Sequence, residues 1–126
     1  MCSSDLHWNI KGENFFLLHE KFEELYNDLL LKVDEIAERV LTLGHRPAHA
    51  FSTYIETAEV PERKDVSNGK EAVENIVESF GKLIAKQREL LELAGEAGDE
   101  GTSALMSDYI SGQEKDVWMY RSYLGQ

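Results

Sequence analysis

From Asn14 to Leu43, apolar residues return every three or four positions, with no proline or glycine to interrupt them. Leu18, Phe22, Leu25, Leu29, Ile36 and Val40 form the stripe, which predicts one long helix with these residues facing a core. Lys11-Gly12 breaks the segment before it, and Asn14 is placed to cap it. Gly44, followed by His45-Arg46-Pro47, stops it. The pattern is irregular between Arg46 and Ser67, with a short helix predicted from Ala50 to Ala58 and loops at Pro61 and Asp65–Gly69. Periodicity resumes from Lys70 to about Ala97, where Ile76, Phe80, Leu83, Ile84, Leu90 and Leu91 are the expected core. The glycines of the Gly95–Gly101 tract predict a turn. A last helix is expected from Thr102 to Leu124, carrying Leu105, Tyr109, Ile110, Val117, Trp118 and Tyr120. No strand-like alternation and no internal repeat is present, so the fold class is an all-α bundle.

The long helix carries a second pattern. At 100° per residue, His19, Glu23 and Asp34 fall roughly 100–160° from the core stripe, and Glu38 roughly 200°. Phe16, Leu30 and Leu41 share that sector. A solvated helix back is polar throughout, so apolar residues there imply a second buried surface, and a subunit interface supplies one.

Composition narrows the setting. The chain has 126 residues, enough for one domain with one core. No run approaches the length of a membrane span, and nothing reads as a secretory signal. The only cysteine is Cys2, so no intrachain disulfide is possible, which fits a reducing, cytoplasmic compartment. The net charge is −11 and the pI about 4.7; such a surface repels phosphate backbones and attracts cations, although acidity alone is also ordinary solubility. Residues 1–6 read as a leader foreign to the domain, an assembly scar in place of a native helix; residues 7–126 are taken as the domain.

Two pairs of metal-ligand residues lie on the long helix. His19 and Glu23 are four apart, as are Asp34 and Glu38, so each pair shares one face. From His19 to Asp34 the rise is roughly 22 Å, against metal–ligand bonds of roughly 2 Å. If His7, His19, Glu23, Asp34 and Glu38 serve one centre, the second pair comes from another copy of the chain, and a two-fold axis brings the two ends together. Taken singly, each carboxylate is an ordinary solvated helix residue, and His19 an ordinary core or interface histidine. Imidazole plus carboxylate with open positions suits Fe(II), and zinc as well. Five ligands predict one tight ferrous position and one weak one. No Glu is followed by His at the third position, so an E-x-x-H di-iron centre inside one bundle is unsupported.

The tracts His7-Trp8-Asn9-Ile10-Lys11-Gly12, Asn14-Phe15-Phe16, His19-Glu20, Phe22-Glu23-Glu24-Leu25-Tyr26 and Asp34-Glu35-Ile36-Ala37-Glu38-Arg39 resemble the signature of Dps proteins, the bacterial ferritin-like mini-ferritins. The H-W-x-x-K-G and D-x-x-A-E-R motifs are specific at this separation, and the resemblance covers nearly all of residues 7–125. It implies a ferritin-like four-helix bundle with a short helix in the connection between the second and third helices, assembled as a hollow dodecamer. It implies ferroxidase sites at two-fold interfaces, with His7, His19 and Glu23 from one subunit and Asp34 and Glu38 from its partner. The family commonly has Asp at the position of Glu23, which is one methylene longer. Trp8 matches a motif aromatic beside the site, for which packing is the expected role. The family's first helix normally extends before His7 and is truncated here.

The function so implied is oxidation of Fe(II), with hydrogen peroxide ahead of oxygen, and storage of ferric mineral, protecting the cell and its DNA. The alternative is a nucleoid-associated, DNA-binding structural protein. It is opposed by 24 acidic against 13 basic residues and by the absence of a basic run at Tyr123-Leu124-Gly125-Gln126. Asp99, Glu100 and Asp108 are candidates for an acidic iron uptake route. A purely structural helical subunit with inert carboxylates is the third reading.

Overall fold

The computed structural model describes residues 2–126. Among them are five helices, α1 (Cys2–Asn9), α2 (Phe15–Thr42), α3 (Phe51–Thr57), α4 (Gly69–Glu96) and α5 (Glu100–Tyr123), and no strand beyond one isolated bridge between Lys11 and Asn68. No helix among them is long and apolar enough to cross a membrane. The chain divides into two compact units, residues 1–72 and 73–126.

In the first unit, α1 and α2 are joined through Gly12, whose φ of 103° only glycine adopts readily. Lys11 N–H donates to the Ser67 carbonyl at 3.0 Å, tying this turn to the segment before α4. Of the expected leader, Met1 lies outside the described residues, while residues 2–6 belong to α1. Leu6 and Ile10, four apart, are 3% and 2% exposed. Leu18, Phe22 and Leu25 of α2 are buried as the period predicts. The rest of the stripe is not: Leu29 and Val40 are half-buried and Ile36 is 44% exposed. At 1.5 Å per residue the eight residues of α1 span about 12 Å and the 28 of α2 about 42 Å, so α1 flanks only one end.

The helix ends are largely as the sequence predicts. Asn14 precedes α2 but its side chain makes no capping bond; Phe15 N–H bonds instead to the Gly12 carbonyl at 3.1 Å. At the far end Gly44 takes φ 84°, and the amides of Leu43, Gly44 and His45 return to the carbonyls of Arg39, Leu41 and Val40, satisfying the last turn. α4 starts at the expected loop because the Asn68 carboxamide oxygen accepts from Glu71 N–H at 3.0 Å.

In the second unit, α4 and α5 run as an antiparallel hairpin, crossed by an Arg88–Glu114 ion pair and by Ser103 Oγ donating to the Leu91 carbonyl. The turn is shorter than the Gly95–Gly101 tract. Gly95 is still in α4 and Gly101 already in α5, because Gly98 turns at φ 71° and the Asp99 carboxylate caps α5 by accepting from Thr102 N–H at 3.0 Å. The buried line of α4 steps by seven, through Val73, Phe80, Gln87 and Ala94, with Ile76 beside it. Leu90 falls off that line and is 42% exposed, while Leu83, Ile84 and Leu91 are half-buried. Met106, Tyr109, Ile110 and Gln113 are buried on α5, and Trp118 is exposed.

Candidate metal centre

His7 comes from the last turn of α1 and His19 from the second turn of α2. Their rings stack with centroids 3.7 Å apart and planes 17° from parallel. Each is braced by the other's backbone: His7 Nδ1 lies 2.6 Å from the His19 carbonyl, and His19 Nδ1 lies 2.9 Å from the His7 carbonyl. A carbonyl only accepts, so both Nδ1 atoms carry the proton and donate. His7 O is one of the C-terminal helix carbonyls that the helix itself cannot satisfy, and the His19 ring satisfies it. The consequence is chemical: in the neutral ring the Nδ1–carbonyl bond leaves the lone pair on Nε2, and neither Nε2 makes a hydrogen bond among the described residues. Binding a metal through Nε2 needs that tautomer. His7 is buried and His19 half-buried, so the rings are held rather than free in solvent.

The three carboxylates are placed differently. Glu23, Asp34 and Glu38 are exposed, and none makes an ion pair or a side-chain hydrogen bond among the described residues. Their neighbours do: Lys21 pairs with Glu24 at 2.9 Å and Lys32 with Asp28 at 2.5 Å. α2 is one uninterrupted helix from Phe15 to Thr42, so Asp34 stands roughly 22 Å along the axis from His19. The structure therefore joins His7 to His19 and keeps Asp34 and Glu38 away from them. Among the described residues, no three His, Cys, Asp or Glu side chains converge to hold a metal within one chain.

The sector around these carboxylates is apolar and open. Phe16, Leu30 and Leu41 are 85%, 65% and 58% exposed. Trp8 is 73% exposed in the single chain and stacks on no ring among the described residues. Two aromatics of the signature tracts, to which the sequence assigned no role at the site, do touch the imidazoles. Phe15 stacks on His19, centroids 4.9 Å apart at 25°, and Tyr26 meets His7 edge to face at 5.4 Å and 75°. The signal is present in the sequence, since Phe15, His19 and Tyr26 at steps of four and seven share one helical face. On the uptake route, Asp99 is committed to capping α5, while Glu100 and Asp108 are exposed.

The Ferritin-like domain family matches residues 4–126. The Dps protein of Vibrio cholerae O1, described as a member of a broad superfamily of ferritin-like diiron-carboxylate proteins, superposes with a TM-score of 0.95 at 55% identity, over 97% of this chain and 77% of that one. This chain is a ferritin-like protein of the Dps family. The DNA protection during starvation protein of Porphyromonas gingivalis is 47% identical over 117 residues, 93% of this chain and 74% of that protein. A Dps variant from Listeria innocua, with two histidines replaced by glycine at the separation of His7 and His19, superposes at a TM-score of 0.95 with 28% identity over 98% of this chain and 83% of that one. The all-α architecture of this Dps-family chain, with α3 in the connection between α2 and α4, is thus the ferritin-like one that its periodicity and motifs predict.

Proposed function

We propose that this Dps-family chain is a ferroxidase and iron store whose catalytic centre is completed by a second subunit. His7, His19 and Glu23 of one copy and Asp34 and Glu38 of another are the ligands, and iron is the substrate. The observation that carries this reading is the separation of two half-sites on one rigid helix. At one end lie two imidazoles with free Nε2 atoms. At the other, roughly 22 Å away, lie two carboxylates that pair with no cation among the described residues. Between them runs an exposed apolar sector. A two-fold interface over that sector juxtaposes unlike ends and builds two equal sites.

The residues divide the work. The imidazoles and carboxylates hold ferrous ion and stabilise the higher charge of the ferric product, and open positions admit the oxidant. Glu23, longer by a methylene than the common Asp, ligates at greater reach or through water. With hydrogen peroxide as oxidant, two ferrous ions each give one electron and the O–O bond breaks. The oxygens end as water or in ferric oxyhydroxide, and protons are released. Both electrons are consumed at one site, so no hydroxyl radical escapes. Mineral then collects inside a hollow dodecamer in the cytoplasm, sparing the cell and its DNA. The Vibrio cholerae relative's di-iron carboxylate superfamily supports the assignment.

The test is an anaerobic Fe(II) titration of the assembled protein, followed by peroxide. Saturable ferrous binding, then stoichiometric oxidation without radical-trap signal, is expected. Absence of saturable binding, or oxidation no faster than in buffer, overturns the reading.

A further inference from the structure

The two imidazoles do not stand alone. Phe15, His19, His7 and Tyr26 form one column of rings, with centroid steps of 4.9, 3.7 and 5.4 Å. Three of the four come from one face of α2, and His7 enters the column from α1. Phe15 lies flat against His19 at 25°, whereas Tyr26 presents a ring at 75° to His7. Phe15 and Tyr26 are both half-buried, so each is anchored on the chain and not merely laid over the histidines. The Tyr26 hydroxyl makes no hydrogen bond among the described residues, which leaves the ring as the part of the side chain that touches His7.

Rotation about its side-chain bonds would carry either imidazole out of its Nδ1–carbonyl bond and offer the metal a protonated nitrogen or the wrong direction. An aromatic on each end of the stack blocks that rotation by contact, and the edge-to-face arrangement is the one that ring quadrupoles favour. Resting on the proposed ligand role of His7 and His19, we propose that Phe15 and Tyr26 are positioning residues that clamp the two imidazoles in their Nε2-free form, so that the histidine half of the metal site is prepared before any metal arrives. Partners that orient metal-binding histidines act in this way, usually through hydrogen bonds; here ring contacts add to the backbone bonds. Tyr26 acts through its ring and not its hydroxyl, so Tyr26→Phe keeps the function and Tyr26→Leu loses it.

The experiment uses the full chain with Zn(II) alone as probe, which binds such ligands without redox chemistry. Wild type and Tyr26→Phe bind alike, and Tyr26→Leu and Phe15→Leu each bind about 10–100-fold more weakly, the range typical of lost orienting partners. Helix content and melting temperature are measured alongside, and Phe15→Leu carries the test if Tyr26→Leu folds poorly. Histidine-selective ¹⁵N spectra of the metal-free protein give a second readout: one Nδ1-protonated form in wild type and Tyr26→Phe, a tautomer mixture in the Leu variants. Equal zinc affinity in folded Leu variants, or unchanged tautomers, overturns the clamp while leaving the ferroxidase reading standing. If wild type holds a single tautomer but binds no zinc, the ferroxidase reading fails instead, and with it the purpose of the clamp.

Discussion

Twelve positions separate His7 from His19, yet each ring is held by the other's backbone carbonyl. Neither histidine is therefore independent of its partner: replacing one by alanine keeps its backbone carbonyl but deletes a candidate ligand and the ring stacked on the other at 3.7 Å. We predict that His7→Ala and His19→Ala each weaken ferrous binding at least about tenfold. The double variant should be little worse than either, because residues in direct contact do not contribute additively. Ferrous titration of the three variants checks this, and losses that simply multiply in the double variant refute the coupling. Asp99 shows how a single residue can answer to two readings. Its carboxylate caps α5, so Asp99→Ala should cost about 1 kcal/mol of stability, read by denaturant unfolding. Asp99→Asn retains a capping oxygen and removes the charge. If Asp99 also serves iron uptake, that variant is stable but takes up ferrous ion more slowly at low concentration; unchanged uptake assigns Asp99 to the cap alone.

At the scale of elements, α2 is the decisive one. It is long enough to carry both half-sites and too straight to bring them together. Variants carrying His7→Ala with His19→Ala, and variants carrying Asp34→Ala with Glu38→Ala, should each be inactive. Co-assembled, they should regain activity, because in a mixed two-fold pair one site recovers every native ligand while the other keeps only Glu23. Mixtures as inactive as their parents would show that the ligands do not cross between subunits. The end of α2 depends on Gly44, at φ 84°, and a methyl group there would meet only open space. Gly44→Ala therefore causes no clash, and its cost is backbone strain alone, about 1 kcal/mol; a melting temperature equal to wild type would contradict this. α2 also marks the limit of periodicity as a guide. Leu18, Phe22 and Leu25 face a core as the pattern says, but Ile36 and Leu41 are 44% and 58% exposed. The same apolar signal describes a chain's own core and an exposed apolar surface, and the pattern alone does not separate the two.

For the whole molecule, charge governs which partners are admitted. Twelve copies at −11 each would carry roughly −130 before counter-ions gather. Several of the basic residues are already engaged: Lys32 with Asp28, Lys82 with Glu78 at 3.5 Å, and Lys86 with Glu89 at 3.7 Å. The exposed pairs of Lys82 and Lys86 add at most about 1 kcal/mol each to stability, but all three remove positive potential from the surface. The assembled protein should therefore protect DNA by consuming iron and peroxide and should not bind it tightly. In a gel shift at physiological ionic strength, duplex DNA should migrate unretarded. Stable retardation by an assembly lacking any basic terminal tail would restore the nucleoid-binding alternative.

The sequence by itself determined α2 to α5 to within a few residues, because an apolar period of three to four and the glycines at 12, 44 and 98 leave the backbone little choice; it did not determine α1, whose residues 2–6 carry no apolar period and were read as a leader outside the domain. It also determined the family, through motifs whose spacing is specific, and the arithmetic that sets Asp34 beyond the reach of His19. What it could not contain was anything that depends on where separate segments meet. The interlocked Nδ1–carbonyl bonds need α1 folded back on α2, so the tautomer that frees both Nε2 atoms was invisible in the chain. So was the company of Phe15 and Tyr26, although their spacing placed them on the right face. Gln87 and Gln113 are buried on the inner lines of α4 and α5, where hydrophobic patterning, which reads polar residues as surface, does not look. Trp8, expected to pack, is exposed because no described segment of its own chain covers it. Local spacing fixes local structure; burial and hydrogen-bond partnership are properties of the packed molecule, and those are what decided the state of the two histidines.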